Sequence, residues 1–379
     1  MHNEIKIQSP DANRLLKVIG SDTTPDGRRM KRFLDMPDLT RTPGNPLHDM
    51  VERILAIPTY TDMNVIEVPE IVPADISFDL FDFPKDHPAR SASDTYYVDD
   101  TNILRTHTTV MWYYYLQDQH VKIKMQNGEA VGCFSFGKVY RKDEIDRRHM
   151  NVFHQLDGWY LAPKSKTTIG LEDLKEVLTN IAHAVFGADV QIRFNPDTFP
   201  YTDPSLEMEV FVNGRWVEVL GSGVVKGSVL EKFGVDSSNY TGWAFGFGLE
   251  RLAIVSMDLP DIRLLWSTDP RVTSQLKLGK KFEEVSKFPQ ITRDISFVVP
   301  KTFVPNIYFD LIRDLGGDLV EEVKLLDTYT DPKKFGDRIS YTYRVIYRSM
   351  DRTLTSEEID VIQKKIYEQT KEQFNAELR

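Results

Sequence analysis

A glycine-punctuated turn that ends in an arginine and continues as an apolar segment is the feature that most restricts the fold of this chain. The turn is residues 246–251, Gly-Phe-Gly-Leu-Glu-Arg, and the apolar residues 252–255 after it predict a buried helix. An arginine guanidinium stays charged and offers a planar fork of donors that matches phosphate oxygens, with roughly 1.5–3 kcal/mol for each charge-assisted contact. Arg251 is therefore a candidate phosphate ligand. A solvated surface arginine is the alternative.

Length, charge and cysteine content limit the class of protein. The chain has 379 residues, a formal net charge of −10 and one cysteine, Cys133. This length exceeds what one hydrophobic core usually supports, so we expect two domains. A lone cysteine excludes an intramolecular disulfide and a thiolate zinc site. We find no apolar run long enough to span a membrane. The net charge disfavours indiscriminate nucleic-acid binding but leaves local RNA contacts open.

Hydrophobic periodicity predicts an α+β body built on a large sheet. A helix is predicted at residues 47–57 and a strand at 65–68. From residue 106 to 265, predicted helices alternate with predicted strands. The helices are 171–185 and the segment from 252, and the strands are 138–141, 190–194, 206–212 and 216–220.

A charged, glycine-started stretch at residues 279–286 predicts a linker, and a second module follows it. Its elements are predicted in the order strand 294–299, helix 306–315, strand 323–329, strand 340–347 and helix 356–374. This order approaches the split β-α-β arrangement called ferredoxin-like.

The second of the two adjacent strands in this module alternates strictly. Arg344 and Arg348 fall on one face, and Tyr341, Tyr343 and Tyr347 fall on the other. A strand that carries both basic and aromatic side chains suits RNA binding. The alternative is a half-exposed strand whose arginines face water.

A predicted hairpin lies over residues 138–157, with a charged loop between its strands. In such a hairpin Arg141 would hold an α-phosphate, His149 a more distal phosphate, and Phe153 would offer a flat apolar face to a purine ring. Each of these residues also has an ordinary structural interpretation when it is taken alone.

The chain resembles the class II aminoacyl-tRNA synthetases, and among them the single-chain phenylalanyl-tRNA synthetases of the mitochondrial type. The resemblance rests on segments that follow one another in order along nearly the whole chain, namely 45–47, 83–90, 104–108, the hairpin around Arg141, 153–155, 199–204 and the segment ending at Arg251. It implies an N-terminal extension (1–40), an antiparallel-sheet catalytic domain flanked by helices (41–275), a linker (276–286) and a ferredoxin-like anticodon-binding domain (287–379).

The resemblance also implies roles for individual residues. Arg141 and Arg251 would hold the α- and γ-phosphates of ATP, and Glu218 is the candidate Mg²⁺ ligand, with a surface glutamate as its alternative. The residues placed around the amino acid are His107, Thr109, Gln155 and Asp157 at the head group and Phe199, Tyr201 and Ala244 at the ring. Arg344 and Arg348 are the candidate tRNA contacts.

The implied activity is the charging of tRNA(Phe) with L-phenylalanine through an adenylate, by a monomer in the mitochondrial matrix. A cytoplasmic or other organellar location stays open, because residues 1–13 lack presequence features. Thr109 and Trp112 depart from the family pattern, which commonly has serine and glutamine there. The alternatives are therefore a class II adenylate-forming ligase for another amino acid, or a non-catalytic RNA-binding paralogue. The chain has no spare segment for an editing domain, so we also expect measurable charging with tyrosine.

Overall fold

The structure, a computed structural model, describes residues 2–284 and 288–379, and it divides the chain into two compact units. The first unit comprises Met1–Arg141, Val152–Leu259 and Ser274–Phe282. The second comprises Lys142–Asn151, Pro260–Thr273 and Glu283–Arg379. Residues 285 and 286 of the predicted linker and residue 287, at the predicted start of the next domain, lie outside the described residues, so that boundary stays a prediction.

The first unit is built on an eight-stranded sheet and a separate two-stranded one. The large sheet has the order β1-β2-β5-β6-β10-β9-β8-β7, with parallel pairing of β1 with β2 and of β2 with β5, and antiparallel pairing elsewhere. The strands of the unit are β1 (Glu4–Lys6), β2 (Asn64–Glu67), β3 (Ile71–Pro73), β4 (Asn102–Leu104), β5 (Val131–Tyr140), β6 (Val152–Pro163), β7 (Gln191–Phe199), β8 (Thr202–Val212), β9 (Arg215–Val225) and β10 (Tyr240–Gly248).

Helices flank this sheet, and their starts follow from local sequence. Asn45 accepts a hydrogen bond from the backbone N–H of Leu47 and Pro46 occupies the first turn, so one helix begins where a cap and a proline coincide. The helices are α1 (Pro10–Ser21), α2 (Pro25–Asp35), α3 (Pro46–Leu55), α4 (Ala74–Phe78), α5 (Met111–Gln117), α6 (Gln119–Gln126), α7 (Leu171–Phe186), α8 (Gly227–Lys232) and α9 (Leu249–Met257).

The second unit contains a four-stranded antiparallel sheet in the order β12-β13-β11-β14. Its elements are α10 (Pro270–Thr273), β11 (Ile291–Pro300), α11 (Pro305–Gly316), β12 (Val320–Tyr329), α12 (Pro332–Phe335), β13 (Arg338–Tyr347), α13 (Ser356–Phe374) and β14 (Glu377–Leu378). Helices α11 and α13 pack together, and side chains from both share one buried core with this sheet. The predicted order of elements and the predicted bounds of the last helix are confirmed.

One interpretation of β13 is wrong. The two faces separate as predicted, but Tyr343 and Tyr347 are buried in the core that the sheet shares with the helices, and Tyr341 packs against the same core. These aromatic rings stabilise the unit and do not offer a stacking surface to RNA. Residues 142–151 belong to the same unit, with Ile145 in its core.

Within the described part of the chain, no helix has both the length and the apolar character needed to cross a bilayer.

Candidate active site

Glycines on neighbouring strands of the large sheet allow two functional side chains to lie against the backbone. Across the strands, Asp157 is opposite Gly246, and Gly246 is opposite Gly221. Because cross-strand partners share a face of the sheet, we call this side the glycine face. A Cβ atom on Gly246 would lie 2.6 Å from Asp157 Oδ1, and one on Gly221 would overlap Phe199 Cζ. A side chain at either position would displace these groups.

The Asp157 carboxylate is buried on this face and only partly satisfied. Its Oδ2 accepts a hydrogen bond from the Thr109 hydroxyl at 2.5 Å, whereas Oδ1 has no partner among the described residues. Burial raises the pKa of Asp157 to about 6, even though the bond from Thr109 acts in the opposite direction. A buried carboxylate oxygen without a donor is unfavourable, and a cationic ligand would satisfy it.

His107 supplies a second acceptor from the same segment. Its Nε2 donates to the carbonyl oxygen of Ser77 at 3.1 Å, so a neutral ring keeps Nδ1 unprotonated. Nδ1 is buried and has no partner in the part of the chain that the structure describes. Burial, reinforced by the Arg141 charge, lowers the pKa of His107 to about 3, which keeps the ring neutral. Gln155 accepts from the backbone N–H of Thr108 at 3.3 Å.

Aromatic rings gather beside this polar end. Phe199 and Tyr201 lie nearly parallel, with their centroids 6.2 Å apart at 24°. Phe81 makes T-shaped pairs with Tyr201 and with His107, with ring centroids 5.7 Å apart in each pair, so one ring joins the polar and aromatic parts of the site. These rings form a surface, which we call the aromatic wall, and another aromatic ring would pack favourably against it.

Two stacked indoles lie beside Ala244. Trp112 and Trp159 have centroids 4.8 Å apart at 7°, and both are fully buried. Ala244 is opposite Trp159 in the register of β10 with β6, and Trp112 meets Tyr201 edge-on at 6.0 Å. The residue that departs from the family pattern, Trp112, is therefore a core residue that supports the aromatic wall.

The two candidate ATP arginines differ in their surroundings. The Arg141 guanidinium lies 5.3 Å from the Phe153 ring centroid, and its Nε donates to the carbonyl oxygen of Thr106 at 2.9 Å. Arg251 forms a 3.2 Å ion pair with Glu218, and both side chains are about half exposed, at 55% and 52%. Exposed pairs of this kind contribute only about 0–1 kcal/mol, so a phosphate group would replace the carboxylate readily.

His149 pairs with a residue of its own loop, and its assignment to a distal phosphate stays a prediction. Its Nδ1 lies 2.8 Å from Asp146 Oδ2 in the loop of residues 142–151, and this bond raises the pKa of His149. The hairpin predicted around that loop is present, because β5 and β6 pair along their whole length.

Glu218 does not lie in a preformed metal site. Among the described residues there is no group of three or more His, Cys, Asp or Glu side chains arranged to hold an ion. Glu218 is paired in register with Glu209, and Glu207, two residues before Glu209, is opposite Gly221. The glycine face therefore carries carboxylates next to the Arg251 pair.

Both candidate RNA-binding arginines are in ion pairs. Arg344 forms two parallel bonds with Asp294, at 2.7 and 2.8 Å. Arg348 donates to Glu321 Oε2 at 2.6 Å, and Arg147 donates to Oε1 of the same carboxylate at 2.6 Å.

Sequence reasoning missed several residues of this site. Phe81, which joins the polar and aromatic parts, lies in a run rich in Phe and Asp without a distinct periodicity. His154 and Glu250 stand next to Phe153 and Arg251 within the segments used for the resemblance, and they are joined to each other at 2.7 Å. Adjacency to two candidate ligands was the available signal.

Comparison with known proteins decides the family. The model for the tRNA synthetases class II core domain (F) matches residues 33–276, and the model for the ferredoxin-fold anticodon binding domain matches residues 286–379. A chloroplastic/mitochondrial phenylalanine–tRNA ligase from Arabidopsis thaliana is 41% identical over 82% of this chain and 71% of its own length. The chain belongs to the phenylalanine–tRNA ligases.

Other relatives support the same family. A mitochondrial phenylalanine–tRNA ligase from Mus musculus is 35% identical over 80% of this chain and 72% of its own length. The mitochondrial phenylalanine–tRNA ligase from Saccharomyces cerevisiae is 32% identical over 88% of this chain and 87% of its own length. Class II synthetases generally use ATP and a divalent metal ion, and the matched regions include both the catalytic core and the anticodon-binding module.

Proposed function

We propose that this protein activates L-phenylalanine with ATP and transfers it to tRNA(Phe). One observation supports this best. Two buried acceptors, Asp157 Oδ1 and His107 Nδ1, occur in the same site as the aromatic rings around Phe81. An α-ammonium group would supply donors to both acceptors, while a benzyl side chain would pack against Phe199 and Tyr201. Burial makes the unpaired carboxylate unfavourable until a cation arrives, which favours substrates that carry one.

In the first step, a carboxylate oxygen of phenylalanine attacks the α-phosphorus of ATP, and the bond from that phosphorus to the bridging oxygen of pyrophosphate breaks. The nucleophile is already ionised, so no general base is needed. Positioning and charge stabilisation supply the catalysis. Arg141 would hold the α-phosphate, Arg251 the γ-phosphate, and Phe153 would pack on the adenine ring.

In the second step, a ribose hydroxyl at the 3′ end of the tRNA attacks the acyl carbon and AMP leaves. The proton of that hydroxyl departs with the phosphate or to water. Asp157 keeps the ammonium group fixed through both steps.

Glu218 and Glu209 provide carboxylate oxygens of the kind that Mg²⁺ prefers, and a Mg²⁺ ion bound with one or two carboxylates and the phosphates suits their register on β9 and β8. The ion would neutralise charge on the phosphate groups when it is bound.

For the tRNA, Arg344 is the stronger candidate of the two arginines. Its pair with Asp294 is exposed, at 42% and 46%, and a phosphate would compete with that carboxylate. Arg348 pairs with Glu321, whose side chain is 1% exposed, so exchange there would leave a buried charge.

We further propose that the protein acts as a monomer in mitochondria, by analogy with the named relatives. Sedimentation of the purified protein tests whether it is a monomer.

Pyrophosphate exchange with each amino acid in turn tests the activity. Phenylalanine should give the highest kcat/KM. A higher value with another amino acid would support the alternative specificity that Thr109 and Trp112 suggest, and no exchange with any amino acid would support a non-catalytic paralogue. The variant Arg251→Ala should lose exchange while keeping tRNA affinity, and Arg344→Ala should show the reverse.

A further inference from the structure

A buried hydrogen-bonded histidine lies behind the sheet, next to a residue of the proposed ATP site. His154 is fully buried, and its Nε2 accepts a hydrogen bond from the backbone N–H of Leu39 at 3.0 Å, with Asp38 Oδ1 at 3.5 Å. A nitrogen that accepts from a backbone N–H carries no proton. With Nε2 as the acceptor, the ring proton is on Nδ1, which donates to Glu250 Oε1 at 2.7 Å.

The Glu250 side chain takes the place of a backbone acceptor just beyond the end of β10. The register between β10 and β6 ends with Gly248 opposite Gln155, where β10 turns into α9. Beyond that point both oxygens of Glu250 accept from the backbone N–H of His154, each at 2.9 Å. The carboxylate thus satisfies a β6 donor that the strand no longer reaches, and it ties the first turn of α9 to β6.

His154 and Glu250 are each next to a proposed ATP ligand in the sequence. Phe153 precedes His154 on β6, and because successive strand side chains point to opposite faces, Phe153 lies on the side of Gln155 while His154 lies behind. Arg251 follows Glu250 on α9. Its side chain is half exposed, whereas Glu250 is buried. A bond between His154 and Glu250 therefore fixes the backbone beneath Phe153 relative to the backbone beneath Arg251.

We propose that His154 is a positioning residue for ATP, acting through Glu250 to hold Arg251 and Phe153 at the spacing that the nucleotide requires. This inference rests on the proposed function and adds a residue that does not contact substrate. Its bond to Leu39 serves the stability of the fold, and its bond to Glu250 serves the ATP site. The two bonds are made by different ring nitrogens, so they are separable by substitution.

Two variants separate these roles. In His154→Asn the amide nitrogen takes the place of Nδ1 and keeps the donor to Glu250, while the bond from Leu39 is lost. In His154→Gln the longer side chain places its amide oxygen near Nε2 and keeps the bond from Leu39, while the donor to Glu250 is lost. Each variant loses one buried hydrogen bond, so both should lower the melting temperature by similar amounts.

The measurement is pyrophosphate exchange by the full-length variants, with KM determined separately for ATP and phenylalanine. His154→Gln should raise KM for ATP about tenfold or more while His154→Asn stays within about threefold, and KM for phenylalanine should change by less than about twofold in both. Equal KM for ATP in the two variants, or parallel changes in both KM values, would overturn the proposal. Absence of exchange in the unmodified protein would instead count against the proposed function.

Discussion

The hydroxyl of Thr109 donates to one oxygen of the Asp157 carboxylate at 2.5 Å, and the other oxygen of Asp157 has no partner within residues 2–284 and 288–379. The two residues are 48 positions apart in the sequence, and they meet because a 3₁₀ turn at Thr108–Val110, after β4, lies against β6. Burial of the charge outweighs the threonine hydroxyls and the arginine charges that favour the ionised form, so the pKa of Asp157 is raised to about 6.

Activity toward phenylalanine should fall in mildly acidic solution. An ammonium group binds the ionised carboxylate, and kcat/KM reports the ionisation of the free enzyme, so kcat/KM for phenylalanine should decrease about tenfold per pH unit below about pH 6. His107 does not titrate in this range, because its pKa is about 3. Exchange at saturating ATP between pH 5 and 8 measures the profile. His120→Gln, which removes an exposed histidine of α6, is the control, and a profile that stays flat to pH 5 would contradict the assignment.

Removing the charge of Asp157 should stabilise the protein while abolishing activity. A carboxyl pKa of about 6 in the folded state, against an ordinary 3.8, means that the folded state binds the proton more tightly. Stability therefore falls as pH rises from about 4 to 6, and the full penalty, on the order of 3 kcal/mol, is present above that range. Asp157→Asn should raise the melting temperature at pH 7.5 and change it little at pH 4. A lower melting temperature at pH 7.5 would be inconsistent with this account.

Much of the second unit was predictable because its signals are local. Thr355 caps α13 by accepting from the backbone N–H of Glu358, and the observed helix has the predicted bounds. Two helices near the N-terminus were missed, although Ser9 and Thr24 each precede a proline and cap the helix that follows. Apolar spacing was present as well, because Ala12, Leu15 and Ile19 lie buried on one face of the first of these helices, and it was overlooked in a segment rich in Pro, Asp and Thr.

Contacts between distant segments were not predictable. Alternation along β13 separates arginines from tyrosines, but it does not say which face the helices cover, and Tyr343 proved to be buried. In the same way, the residue types at Arg141 and Arg251 predict phosphate binding, whereas the link between His154 and Glu250 depends on where β10 ends. Local pattern determines the elements, and the packing of elements determines which side chains meet.

Enlarging Ala244 should impair phenylalanine binding specifically. Ala244 is 4% exposed and lies opposite Trp159, which is stacked on Trp112, so the neighbouring indoles have no room to move away. Ala244→Val should raise KM for phenylalanine about tenfold, as overpacking of 1–3 kcal/mol implies, with KM for ATP unchanged. Ala162→Val, on β6 and 2% exposed, is the matched control. If it raises KM for phenylalanine equally, Ala244 has no special place in the pocket.

The protein should form tyrosyl-tRNA at a measurable rate. A buried hydroxyl without a partner costs about 1–3 kcal/mol, so discrimination by binding alone is roughly 10- to 150-fold. Aminoacylation with tyrosine over a range of concentrations, compared with phenylalanine, measures the ratio. Hydrolysis of preformed tyrosyl-tRNA by the purified protein would show that a correction activity exists and would refute the prediction.

Neutralising Glu321 should destabilise the second unit far more than breaking an exposed pair in the same sheet. The Glu321 side chain is 1% exposed and accepts from Arg147 and Arg348, each at 2.6 Å. Removing one partner of a fully buried pair costs roughly 3–5 kcal/mol, and partial exposure of both arginines reduces the expected loss for Glu321→Gln to about 2–3 kcal/mol. Asp294→Asn, which breaks the exposed pair with Arg344, should cost less than about 1 kcal/mol. Urea unfolding of both variants gives the comparison, and equal losses would show that the burial of Glu321 does not determine its contribution.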